Sequence, residues 1–260
     1  MAGRPRLRKR EIVLAVGAGV LAAAGGAAML DAMHDDNRSS APALVTGGAL
    51  TYTVEPFTEV STVGPQDVII TQGDKQEVRA EGSPAALSVL EAVVENGKLI
   101  IRPREGFGGH WRGLSGTTFH VTVPRLEAIS LAGSGDVRID KVAGKEFEGT
   151  IAGSGELTIG DLRVDDASLS IGGSGSVVAA GKTGRTRVAI GGSGQVHGEG
   201  LQSETASVSI GGSGDAALAV QREARVSIMG SGNVEISGLA RCSVSKVGSG
   251  NVSCANTEGR

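Results

Sequence analysis

The tripeptide Gly-Ser-Gly occurs seven times in the second half of the chain, centred on Ser134, Ser154, Ser174, Ser193, Ser213, Ser231 and Ser249. Successive serines stand 20, 20, 19, 20, 18 and 18 residues apart. A period held near 20 restricts the chain to a solenoid, in which each repeat is one coil that buries its apolar residues by stacking on its neighbours. With serine as zero, offset −3 reads Leu131, Ile151, Ile171, Ile190, Ile210, Ile228 and then Lys246. Offset −5 reads Ile129, Gly149, Leu169, Val188, Val208, Val226 and Val244; offset +3 reads Val137, Leu157, Val177, Val196, Ala216, Val234 and Val252. The even offsets are mostly Ser, Thr, Arg, Glu or Gly. This is alternation with period two on both sides of the serine, so each repeat supplies two strands joined by Gly-Ser-Gly. Both strands turn the same parity inward. The pattern predicts an all-β fold, a parallel β-solenoid of about 18–20 residues per coil, with its repeats over 129–254.

The tripeptides then read as corners rather than as a ligand-binding motif. Gly133, Ser134 and Gly135 form the first corner, and the other six serines mark the rest. Glycine takes a positive φ without steric cost, which a sharp change of direction needs. With coils about 4.8 Å apart, the seven corners form a line about 29 Å long, along which the serine hydroxyls stack as a ladder. Rival readings of the glycines fail on spacing. A calcium-binding nonapeptide needs its acid one place later than Asp215 in Gly211-Gly212-Ser213-Gly214-Asp215. A phosphate-binding loop ending at Gly181-Lys182-Thr183 needs a glycine where Ser176 stands. No cofactor and no metal are expected.

Aromatics make up only 2% of the chain and none follows Phe147, so the repeats must fill their interior with Val, Ile, Leu and Ala. Charge is unevenly placed. Five of the 25 bases lie within the first ten residues, before an uncharged apolar run of 19 residues, Ile12 to Leu30. A basic flank ahead of such a run is either a cleaved signal peptide or a membrane anchor, and residues 1–30 are assigned to one of these two. Both readings export the remainder to the cell envelope. Setting aside residues 1–30 removes those five bases and one of the 28 acids, leaving a net charge of −7. That balance opposes a nucleic-acid surface, which needs clustered Lys and Arg. Residues 31–50 are small and polar and read as a linker, followed by a domain over 51–257.

Ahead of the repeats, the segments around Tyr52–Val63, Gln66–Gly73, Gln76–Gly82, Lys98–Arg102 and Thr117–Val123 alternate as strands. Ser83-Pro84 opens a short helix that Asn96-Gly97 ends. The glycine-rich stretch 106–116 holds Phe107 and Trp111, a candidate contact loop if these rings do not pack on the core. His34, His110, His120 and His197 are scattered without metal-ligand spacing. Asp136, Glu156 and Asp215 follow three of the corners; paired carboxylates serve acid–base chemistry, while a polar residue after a turn is also ordinary. Cys242 and Cys254 flank the last corner at odd, inward offsets, either as a disulfide or as two buried thiols. With Lys246 at the core offset −3, this last coil is expected to cap the solenoid.

Phe57 to Val60, the Lys98–Arg102 strand, Val123-Pro124-Arg125-Leu126 leading into the first Gly-Ser-Gly, and the repeated Ser-Ile-Gly-Gly-Ser-Gly together resemble the head GIN domain of auto-transporter adhesins, over roughly 52–254. The resemblance implies a bacterial envelope protein with a β-solenoid and carries over no catalytic residue. No long amphipathic membrane strands follow Cys254, so no autotransporter barrel is evident. The leading expectation is a non-enzymatic envelope protein whose solenoid is an adhesion surface or scaffold. Its partners would be the membrane, through an uncleaved N-terminal segment, and an envelope protein or glycan. The alternative is a β-helix that binds or cleaves polysaccharide.

Overall fold

From the first Gly-Ser-Gly to the sixth, the chain between one tripeptide and the next stays in extended conformation. The computed structural model describes residues 44–46, 48–108 and 113–255; the proposed signal or anchor segment and Trp111 lie outside them. Five long strands each run from one corner to the next: β10 (Val137–Gly153), β11 (Glu156–Gly173), β12 (Ser176–Gly192), β13 (Gln195–Gly212) and β14 (Asp215–Gly230). Each pairs in parallel with the next, and like positions lie over like, as in Leu169↔Val188↔Val208↔Val226. The parallel β-solenoid comprises about six turns.

Each coil has three sides rather than the two expected. In β11 the buried residues are Leu157 and Ile159, then Leu162 and Val164, then Ala167, Leu169 and Ile171. Alternation slips twice, after Ile159 and after Val164, and at each slip residues drop out of the ladder to β12 before pairing resumes. The second side is short, with two inward residues, which is why the repeat pattern did not reveal it. It also absorbs the change in coil length. Register shifts fall at Ile159/Leu162, Val178/Ala180 and Gly198/Gln202, whereas the sides flanking each Gly-Ser-Gly stay in step. In the middle coils the aliphatic interior is interrupted where the second side meets the third. There the buried hydroxyls of Thr183, Thr186 and Ser203 bond to one another at 2.7–3.0 Å, satisfying three polar groups in one ring.

The N-terminal end is built out of chain order. β3 (Glu59–Gly64) and β4 (Asp67–Gln72) flank a corner Gly64-Pro65-Gln66 that registers under Gly133-Ser134-Gly135. Only the first glycine survives there, so a search for the tripeptide misses it. Gln66 turns its side chain inward and donates from Nε2 to Thr62 Oγ1 (3.0 Å) and to the Val63 carbonyl (2.9 Å). The outermost coil forms later in sequence, from β7 (Lys98–Pro103) and β8 (Thr118–Val123). β3 is paired between β7 and β9 (Ala128–Gly133), and β4 between β8 and β10. The coil 59–72 is therefore threaded between two coils made by later residues.

Antiparallel strands close this end. β5 (Glu77–Glu81) pairs with β8 and with β2 (Ala49–Tyr52), and β2 forms a hairpin with β1 (Leu44–Thr46), inside the stretch read as linker. The helix α1 spans Pro84–Val89, capped by Ser83 Oγ accepting from Ala86 N (3.2 Å). It is half the length expected. Residues Leu90–Glu95 form β6, antiparallel to β7, and Asn96 (φ 54°) and Gly97 (φ 77°) make the hairpin turn. Asn-Gly between alternating apolar residues is a hairpin signal, and the β-branched Val93-Val94 pair favours the strand.

Candidate functional site

Backbone stacked on backbone explains the corner glycines. The first glycine of each tripeptide holds φ between 123° and 142°. The second is buried against the coil before it: a Cβ on Gly175 would stand 2.7 Å from the Gly155 carbonyl oxygen. From Ser154 to Ser231 each serine N–H donates to the first glycine's carbonyl one coil earlier, at 2.8–3.0 Å. The seven serine side chains point outward and, among the described residues, make no intramolecular hydrogen bond. The ladder expected of hydroxyls is made by the main chain instead, because the bend at glycine turns the following side chain to solvent.

The acids after the corners are tied to this backbone. Asp67 Oδ1 accepts from Asp136 N (3.0 Å), Asp136 Oδ1 from Glu156 N (3.2 Å), and Asp215 Oδ1 from both N and Nδ2 of Asn233 (2.9 Å each). A carboxylate placed to receive the next coil's N–H is a brace between coils. Beyond them, Gln195, His197, Asp215, Asn233 and Glu235 line a shallow, polar groove of about 350 Å³. His120 sits half-exposed, 3.8 Å from Glu81. Among the described residues no group of three or more His, Cys, Asp or Glu side chains converges as metal ligands do.

Phe107 is half-buried and packs against the core, so it is not presented as an isolated contact ring. In the N-terminal cap, the buried Tyr52 stacks on Phe119, with ring centroids 6.0 Å apart. Burial pushes its phenol up to about 12, with Arg104 opposing and Glu91 reinforcing the shift. Arg102 bridges Glu91 (2.9 Å) and Glu95 (3.3 Å), and the Glu91 hydrogen bond raises its pKa further.

The other end of the stack differs. β15 (Asn233–Gly238), β16 (Arg241–Val247) and β17 (Asn251–Cys254) complete the last turns. Cys242 and Cys254 form a disulfide between β16 and β17, with Cα atoms 6.6 Å apart. Lys246, at the core offset −3, turns its amine to the Gly250 carbonyl (2.7 Å). Val244, at the core offset −5, is exposed, so among the described residues this coil does not close the end as a cap would.

Solved structures share this architecture. A protein from Bacteroides fragilis described as a putative adhesin aligns at TM-score 0.73 and 19% identity, over 79% of this chain and 95% of its own. One from Parabacteroides distasonis, described as a putative lipid binding protein, aligns at TM-score 0.63 and 24% identity, over 80% and 96%. A putative adhesin from Parabacteroides merdae aligns at TM-score 0.62 and 16% identity, over 80% and 95%. At these identities the likeness is one of fold. No curated protein sequence matches the chain. The profile of the family "Putative auto-transporter adhesin, head GIN domain" matches residues 56–240, from just before β3 to the residue before β16, and the chain belongs to that family.

Proposed function

We propose that this is a non-enzymatic protein of the bacterial cell envelope whose solenoid is a stiff interaction scaffold. The observation that carries this reading is the bonding of Asp67, Asp136 and Asp215 to the next coil's main chain. Asp136 and Asp215 are two of the three carboxylates the sequence offers for polysaccharide cleavage, and they serve as braces, while the third, Glu156, accepts from Thr158 Oγ1 (2.8 Å). What the stack offers outward is rows of short polar side chains at a spacing of about 4.8 Å, a flat surface suited to contact. The basic flank and apolar run before residue 31 support export.

Fractionation of cells producing the full chain, with N-terminal sequencing of the recovered protein, tests this. Recovery in the membrane or envelope fraction is expected, and recovery as soluble cytoplasmic protein overturns it. In the same preparation, a bacterial polysaccharide array bound by wild type and lost in Asn233→Ala would transfer the function to the polar groove and make the protein a glycan binder.

A further inference from the structure

We propose that the C-terminal edge strand β16 is a docking site for an extended, acidic segment of another protein, which adds to the solenoid as a further strand. The inference deepens the scaffold reading and rests on it. Among the described residues β16 is paired on one side only, with β14, and β17 on one side only, with β15. At the N-terminal end antiparallel strands and α1 cover the last parallel coil, and the edge they leave, β6, carries carboxylates rather than bases. An unpaired edge is a row of main-chain donors and acceptors that an incoming strand satisfies.

The large apolar side chains left in solvent mark the same end. Among the described residues these are Met229 (68% exposed), Leu239 (71%), Val244 (47%) and Val247 (70%), all within the last two coils. The edge is also held ready. The Cys242–Cys254 disulfide ties β16 to β17, the last coil among the described residues, so an arriving strand meets a template already in register.

Charge chooses the occupant. Residues 241–255 contain Arg241 and Lys246 and no carboxylate, in a chain whose remainder beyond residue 30 is acidic. Pairing β16 with β16 of a second copy gathers four positive charges in any register and neutralises none. The chain's own acidic edge, β6, has Glu91 and Glu95 both engaged by Arg102. A lipid surface would accept the apolar and basic side chains but leave the strand's backbone groups without partners. A strand alternating apolar residues with carboxylates answers all three requirements.

The test uses the full chain and two labelled heptapeptides, Glu-Val-Thr-Val-Glu-Val-Thr and the same sequence with Lys in place of Glu, read by fluorescence anisotropy. The acidic peptide is expected to bind at least tenfold more tightly than the basic one. Lys246→Glu leaves the edge without net charge and is expected to abolish that preference, with circular dichroism confirming that the solenoid is intact. Equal binding of the two peptides, no binding of either, or an unchanged preference in Lys246→Glu overturns the proposal. So does a wild-type dimer that Lys246→Glu disperses, or binding to anionic phospholipid vesicles that the acidic peptide does not displace. None of these results bears on the fractionation experiment, so the two readings fail separately.

Discussion

At the scale of the residue, adjacent glycines at one corner carry different obligations. Gly173 holds φ 132° and its missing Cβ faces the Gly153 carbonyl, while the neighbouring Gly172 looks outward with 3.8 Å to its nearest atom. Gly173→Ala is therefore expected to cost about 2–3 kcal/mol or more, from a positive φ and a main-chain clash together. Gly172→Ala is expected to change stability by less than about 1 kcal/mol, and urea unfolding of the two variants compares them directly. Tyr52, the chain's sole tyrosine, gives a second check. Its phenol titrates at about 12 in the folded protein against 10.0 unfolded. The native state keeps the proton longer, so stability falls as pH rises through this interval, by at most about 2.7 kcal/mol for two pH units. Tyr52→Phe is expected to remove that part of the alkaline loss, and tyrosinate absorbance reports the ionisation without interference from other tyrosines.

The elements show where a sequence declares itself and where it stays silent. The sides flanking each corner were legible because Ile190, Ile210 and Ile228 repeat at one offset and the glycines allow no substitute. The second side was not, since Gly181 interrupts the apolar position held by Leu162 and Leu201 and the coil length changes there. Asn96-Gly97 was read as the end of a helix because Ser83-Pro84 begins one correctly; the strand pairing of β6 with β7 outweighs helix propensity after Val89. The acids after the corners could be found in sequence, but their bonds to the next coil's N–H could not, because that role needs the register between coils. Among the terminal elements, the disulfide closes a loop of 12 residues in sequence separation and is expected to stabilise the last coil by about 3 kcal/mol. In a stack held by nearest neighbours, that loss is local. Reduction, or Cys242→Ala with Cys254→Ala, is expected to speed amide exchange in β16 and β17 while β11 and β12 keep their protection.

For the whole molecule, the ends are unlike by construction. One is finished by strands that reverse direction; at the other, among the described residues, parallel strands are paired on one side only. The coil 59–72 belongs to the finished end, yet its neighbours on both flanks are residues 98–103 with 118–123, and 128–133 with 137–139. A chain emerging from the N-terminus cannot complete its first coil until residue 139 is available, however early residues 59–72 appear. Every later coil needs only the one before it. The same threading decides how the body resists being pulled from its N-terminal side. Tension arriving through residue 59 runs along a strand clasped by ladders on both edges, so those ladders are loaded in shear and must yield together, whereas β16 and β17, tied by the Cys242–Cys254 bond and paired on one edge among the described residues, peel away as one unit.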